Sequence, residues 1–285
     1  MYESFYGFQE APFNLTPDPK FIFMTPDQRE ALAYLQYGIQ QRKGLLVLSG
    51  EVGVGKTLIV RSLFEQLDET VETALVMNAK LTFKQLLHMA LCDLGLQPGR
   101  DKVQMLLTLQ QYLLQLHQTG RTALLAVDEA QNLSSATLEE FRLLSNLETR
   151  SQKLLQILLV GQPELKTLLN SHDLRQLRQR IPGMWELSPL APQGVGDYIE
   201  HRLRVASGNG LAHIFDEEAV AEVARYSRGI PRSINVLCDR ALIIGYVYDR
   251  KQIDGAIVRE AIEELEKGFR PRRRKPFEAS VGVEG

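Results

Sequence analysis

Short apolar runs alternate with helical stretches over the first two thirds of the chain. Leu45 to Leu48 is an apolar run of buried-strand type, stopped by Ser49 and Gly50, and similar runs recur at Thr73 to Met77, Ala123 to Val127 and Leu154 to Val160. A helical pattern from Asp27 to about Arg42 precedes the first run, and helical stretches separate each run from the next. Apolar runs of this kind with helices between them predict an α/β fold, a parallel sheet covered by helices on both faces. After about Leu190 no further strand-like run is clear. Four helices are expected there, approximately Gln193 to Ala206, Asp216 to Tyr226, Pro231 to Val247 and Asp254 to Glu266, the last with Val258, Ala261, Ile262 and Leu265 on one face. Before Pro26, the density of Pro12, Phe13, Pro17, Pro19, Phe21 and Phe23 excludes a long helix and suits an ordered extended arm. The tail carries Arg270, Arg272, Arg273, Arg274 and Lys275, then thins into Gly and Ser, and is expected to be disordered. The expected organisation is an arm at 1–26, a sheet domain at 27–190, a helical domain at 191–268 and a basic tail at 269–285.

Composition narrows the class. With 285 residues, 44% hydrophobic and 24% charged, the chain is large enough for one substantial core and a smaller appended domain. A net charge of −2 creates no general field for nucleic acid or anionic membrane, so such contacts would need a local patch. Cys92 and Cys238 lie far apart with no CxxC spacing, which argues against a disulfide framework or a zinc site and for buried, reduced thiols. The opening MYESFYGF has Glu3 where a signal peptide would be basic. The apolar stretches Leu154 to Val160 and Ala241 to Tyr248 fall well short of the roughly 20 residues that span a bilayer. A cytoplasmic protein without its own membrane anchor is expected.

The segment GEVGVGKT, Gly50 to Thr57, fits GxxxxGKT and stands where the chemistry needs it, after a buried strand and before a helix. Its glycines let backbone amides turn inward around phosphate oxygens, so Gly50, Glu51, Val52, Gly53, Val54, Gly55, Lys56, Thr57 and Leu58 form the expected nucleotide-binding loop. Lys56 is expected to reach the β and γ phosphates, and Thr57 to ligate Mg2+. LLAVDEA, Leu124 to Ala130, puts Asp128 and Glu129 at the end of an apolar strand. Asp128 is expected to hold Mg2+ through water, and Glu129 to orient or deprotonate the attacking water; the alternative for Glu129 is a charge favoured by a helix N-terminus. ATP is the expected nucleotide, since no NKxD guanine signature is found.

Taken in order, YGF, PFNLTPDP, GEVGVGKT, VDEAQNL, LLSNLET, LLVGQPEL, LRQLRQRI and SRGIPRSIN make the chain resemble the AAA+ ATPases of the general secretion pathway protein A type, from Met1 to about Gly268. That group includes ATPases encoded beside pilus-biogenesis and exosortase/exopolysaccharide systems, and related ATPases serve transposition. The resemblance implies a P-loop NTPase αβα domain followed by an all-helical AAA+ lid, working as a homo-oligomer, with ring formation expected. It implies roles for Gln162 as first sensor, against a turn amide before Pro163, and for Arg232 in GIPR as second sensor, against a surface arginine. Gln162 departs from the more usual Asn. Arg180 is implied as the finger completing a neighbour's site, with Arg178 and an intramolecular ion pair as alternatives. Asn78 reads first as a turn asparagine and second as a restraint on Glu129, and Phe13 with Pro17 to Pro19 is placed near the adenine or in plain core packing. The implied activity is ATP hydrolysis coupled to an envelope secretion, pilus or polysaccharide-export apparatus. The rivals are a DNA-associated transposition regulator using Arg175, Arg178, Arg180 and the tail, and a nucleotide-gated scaffold with little turnover. The family's secretion members often continue into a membrane helix and a wall-binding region; here the basic tail is read either as merely solvated or as a peripheral contact with anionic lipid at the cytoplasmic face of the inner membrane.

Overall fold

The computed structural model of the chain describes residues 2–16, 18–77, 81–150, 152–208 and 213–269. Pro17, Asn78 and the basic tail from Arg270 lie outside them. Two compact units divide the chain, the larger from Leu15–Gly194 and Arg228–Ser233, the smaller from the residues up to Asn14, Val195–Ser227 and those from Ile234 on.

The larger unit is built on five parallel strands, β1 Leu45–Gly50, β2 Val71–Val76, β3 Thr122–Val127, β4 Leu155–Gly161 and β5 Met184–Leu187, in the order β2-β3-β4-β1-β5. In β1, β3 and β4 every residue is buried, which is why they read as continuous apolar runs. Leu46, Leu48, Leu124, Ala126, Leu158 and Val160 pack on one face with Leu35, Ile39, Ile59 and Leu63 of helices Pro26–Gln40 and Lys56–Gln66. Val47, Leu125, Val127, Ile157 and Leu159 pack on the other, against helices Phe83–Asp93, Lys102–Gln118 and Ser135–Leu144. Each such leucine contributes about 1.5–3 kcal/mol by leaving water. Gln156 is the polar exception within β4; its Oε1 accepts from the Gly44 amide at 2.8 Å, so its burial leaves that oxygen paired.

β5 corrects the sequence reading, which found no strand there. MWEL lies at the sheet edge, paired with β1 alone, and only Leu187 of the four is fully buried. An edge strand with Glu186 in it leaves no apolar run to read.

The smaller unit is helical, with Pro192–Ala206, Glu217–Ser227, Pro231–Val247 and Gly255–Phe269 supplying most of it. The segment expected to be an extended arm opens instead with a short helix, Tyr2–Tyr6, and becomes part of this unit. The Tyr6 hydroxyl lies 3.2 Å from the Leu242 carbonyl and 3.1 Å from that of Arg250, and burial pushes its pKa up to about 12. Buried Arg202 donates to the Pro12 carbonyl at 2.6 Å and to that of Asn14 at 3.3 Å. Phe13 is buried edge-on to Phe215, ring centroids 6.1 Å apart. Among the described residues no helix is long and apolar enough to cross a membrane.

The two cysteines divide. Cys238 is buried as expected, and burial pushes its thiol well above the ordinary value. Cys92 is exposed, which corrects the expectation: helix Phe83–Asp93 turns Phe83, Leu86, Leu87, Ala90 and Leu91 inward and leaves Cys92 on its outer face. A soluble aromatic disulfide should therefore titrate one thiol per native chain, with the second appearing only in denaturant. Reaction of both thiols in the native protein, or of neither, would contradict this placement.

Candidate functional site

The site is assembled where three neighbouring strands end. β4 lies between β1 and β3, with Ser49 opposite Gly161 and Val127 opposite Leu159, so the loops after all three emerge at one edge of the sheet. That is the edge at which ligands sit in open parallel α/β sheets.

From β1 the chain turns through Gly50–Gly55 into helix Lys56–Gln66. Gly55 is the N-cap at φ +106°, and no side chain caps the helix. The first amides of a helix have no internal partners, so an uncapped N-terminus offers donors and a positive dipole end to an anion. Gly53, at φ +85°, accepts from the Arg232 amide at 3.3 Å, and a Cβ there would stand 2.7 Å from the Cβ of Arg232. Only glycine serves both requirements. Lys56 is buried, its Nζ donating to the carbonyls of Gly50 at 2.7 Å and Glu51 at 2.9 Å. Burial pushes its ammonium below the ordinary value, while the carboxylates of Glu129, Asp128, Glu51 and Glu164 oppose that shift. A buried cation held by carbonyl oxygens beside an uncapped helix N-terminus suits phosphate groups. A second support comes from Gln28, which forms a capping box with Thr25 and donates through Nε2 to the Val54 carbonyl at 3.4 Å.

Asp128 follows β3 and is buried. Its Oδ2 accepts from the Thr57 hydroxyl at 2.9 Å, and its Oδ1 from the Glu129 amide at 2.8 Å. Among the described residues no cluster of three or more His, Cys, Asp and Glu side chains could hold a metal by itself. A hydroxyl and a carboxylate meeting beside a phosphate loop are oxygen donors of the kind that would hold Mg2+ together with phosphate oxygens and water. The residues thus fit the expected ion.

Glu129 sits in the left-handed region at φ 55°, heading the one-turn helix Ala130–Asn132. Such a backbone costs a non-glycine residue about 1–2 kcal/mol. Its Oε2 accepts from Gln131 Nε2 at 2.6 Å and from Gln162 Nε2 at 3.2 Å. Gln162, at the end of β4, also donates its amide to Gln131 Oε1 at 3.0 Å.

Lys56, Thr57, Asp128, Glu129 and Gln162 thus come together, and the backbone of Arg232 joins them at Gly53 while its side chain is exposed. Arg180 is not brought to this group. It precedes the start of β5, at the opposite end of the sheet, near Glu148, whose carboxyl is held below its usual range first by the hydrogen bond and charge of Lys153 and to a lesser degree by Arg180. Arg175, Arg178 and Arg180 are exposed, and among the described residues none of the three forms an ion pair. Gln28 and Gln131 were missed by the sequence reading. Thr25-x-x-Gln28 was visible as a capping box, and Gln131 only as the residue two places beyond Glu129.

Comparison with known proteins follows the same lines. A family model described as AAA domain matches residues 39–169. The chain is 44% identical over 249 residues to General secretion pathway protein A of Aeromonas hydrophila, covering 86% of this chain and 45% of that protein, so it spans under half the length of this relative. Among solved structures, Cdc6p of Pyrobaculum aerophilum matches with a TM-score of 0.69 at 19% identity, covering 90% of this chain and 70% of that one. The ORC2 protein of Aeropyrum pernix, in ADPNP-ADP complexes, matches with a TM-score of 0.66 at 19% identity, covering 91% and 72%. These two likenesses establish the fold: a P-loop NTPase sheet with a helical C-terminal part.

The loop geometry makes a prediction of its own. Gly95 has φ +72° with nothing within 4 Å of an added Cβ, so Gly95→Ala should cost only the backbone term, about 1–2 kcal/mol. Gly53→Ala adds the clash with Arg232 and should cost more in urea unfolding, while also weakening nucleotide binding. Equal losses in the two variants, with nucleotide affinity unchanged in both, would show that Gly53 does not lie against Arg232.

Proposed function

We propose that this chain, which an AAA domain model matches over residues 39–169 and which is 44% identical to general secretion pathway protein A over 86% of its own length, binds ATP with Mg2+ and hydrolyses it to ADP and phosphate. The observation that carries the reading is the Thr57–Asp128 hydrogen bond of 2.9 Å beside the phosphate loop, with Glu129 adjoining. In this reading Lys56 exchanges the Gly50 and Glu51 carbonyls for phosphate oxygens, and the loop amides together with the helix N-terminus take the remaining charge. Thr57 and Asp128 hold Mg2+, which when bound offsets negative charge on the phosphates. Glu129 takes a proton from water as the water oxygen bonds to the terminal phosphorus and the bond to the ADP oxygen breaks. Gln162 steadies both Glu129 and the terminal phosphate, and Arg232 senses that phosphate.

The work so driven is proposed to be assembly or regulation of an envelope secretion, pilus or exopolysaccharide-export apparatus, in the cytoplasm or at the cytoplasmic face of the inner membrane. Support for it is the identity to the secretion relative. Arg180 is proposed to complete the site of a second copy, since it lies at the sheet end away from its own phosphate loop.

Lys56→Ala should lower ATP affinity at least about tenfold and abolish turnover in a protein that still folds, because loss of a buried charge-assisted contact to phosphate is worth roughly 1.5–3 kcal/mol. Glu129→Gln should bind ATP within a few-fold of wild type and turn over at least tens of times more slowly. Phosphate release by folded Lys56→Ala at the wild-type rate would remove the reading, and wild-type single turnover by Glu129→Gln would move the base elsewhere.

A complementation experiment tests the oligomer. Neither Arg180→Ala nor Lys56→Ala should turn over alone, and mixing them should restore part of the activity, because an arginine supplied by a neighbour is worth about 10³ to 10⁵ in rate. Full activity of Arg180→Ala alone would exclude that role. Salt-sensitive affinity for duplex DNA in a chain lacking the tail would instead favour the DNA-associated rival.

A further inference from the structure

The Glu129 carboxylate is held from two sides, and one residue organises both. Gln131 Oε1 accepts the backbone amide of Gln162 at 3.0 Å. A backbone N–H can only donate, so the amide group of Gln131 is oriented: its oxygen faces Gln162, and its Nε2 must face Glu129, to which it donates at 2.6 Å. Gln162 Nε2 donates to the same oxygen, Glu129 Oε2, at 3.2 Å. Both donors therefore meet one carboxylate oxygen, while among the described residues Oε1 accepts no hydrogen bond. The surrounding backbone makes room for this bracket. Gly161 carries no Cβ, and one placed there would come within 2.9 Å of Gln131 Oε1. Glu129 meanwhile adopts φ 55°, a left-handed backbone that its neighbours must hold in place.

We propose that Gln131 is a positioning residue for hydrolysis, a rigid amide bracket that ties the Glu129 carboxylate at the end of β3 to Gln162 at the end of β4 and leaves Glu129 Oε1 as the oxygen that meets water. The proposal rests on the reading of Glu129 as the group that takes the proton. A bracket of this kind acts on the orientation of the base and leaves the phosphate loop alone. Its signature is a loss in kcat with nucleotide binding unchanged.

The test compares wild type, Gln131→Leu, Gln131→Glu, Glu129→Gln and the double variant Glu129→Gln with Gln131→Leu. Steady-state phosphate release gives kcat and KM, and equilibrium titration gives the ATP Kd. Gln131→Leu removes both ends of the bracket. Gln131→Glu keeps an acceptor for the Gln162 amide and replaces the donor facing Glu129 by a carboxylate oxygen, so it decides the matter if the leucine variant fails to fold. Both are expected to lower kcat at least about tenfold with ATP Kd within about twofold of wild type. In the Glu129→Gln background the leucine substitution should cause no further loss, because the group it positions has gone.

An unchanged or raised kcat in both Gln131 variants, with Glu129→Gln inactive, overturns the bracket and leaves the reading of Glu129 intact. A loss expressed in Kd, or one that persists in full in the Glu129→Gln background, assigns Gln131 to binding or folding and overturns it as well. Wild-type turnover by Glu129→Gln overturns the reading and the bracket together.

Discussion

Everything at the candidate site depends on β4 being hydrogen-bonded between β1 and β3. Paired strands lie about 4.8 Å apart, so the ends of these three fall within roughly 10 Å across the sheet. The segments that follow them carry Lys56 and Thr57, Asp128 and Glu129, and Gln162. No local sequence preference could bring these residues together, since more than a hundred positions separate Lys56 from Gln162. Burial of the three strands on both faces makes the pairing stiff, and that stiff edge sets the 2.9 Å hydrogen bond from the Thr57 hydroxyl to the Asp128 carboxylate.

The same edge gathers backbone features that would be costly elsewhere. Gly53 and Gly55 adopt positive φ, the helix from Lys56 begins without a side-chain cap, and Glu129 takes a left-handed conformation. Each trades local stability for an exposed donor or a re-aimed side chain, as functional sites commonly do. Partial compensation is visible. The Lys56 ammonium bridges two carbonyls of its own loop, Gln28 holds Val54 from the helix before β1, and the Arg232 amide closes on Gly53. These three contacts hold the loop in one shape, and a loop so held has less conformational freedom to lose when a ligand binds.

How much of this could be read from the chain alone follows from where the information lies. The helix expected from Asp27 to about Arg42 runs from Pro26 to Gln40, and four helices expected after Leu190 occur within a few residues of their expected bounds. Their apolar spacing is local and strong. β5 escaped because an edge strand of four residues containing Glu186 has no apolar signature, and Cys92 was misplaced because a thiol is as much at home on an outer helix face as inside. Gly50–Thr57 and the Asp128–Glu129 pair were legible as contiguous motifs with a spacing that the sequence itself carries. Gln131 was not, and Gln28 was legible only as the end of a Thr25-x-x-Gln28 capping spacing, because their roles at the site arise from contacts with Gln162 and Val54, elsewhere in the sequence.

The claim that this edge is a working ATP site, and not a nucleotide-gated scaffold, turns on turnover by the unmodified protein. Steady-state phosphate release from ATP by the purified chain, with Mg2+ and then with the metal chelated, tests it most directly. The arrangement of Lys56, Thr57, Asp128 and Glu129 predicts release that saturates with ATP and stops on chelation. Binding of ATP with no phosphate release in the presence of Mg2+, at protein concentrations that allow self-association, would contradict it.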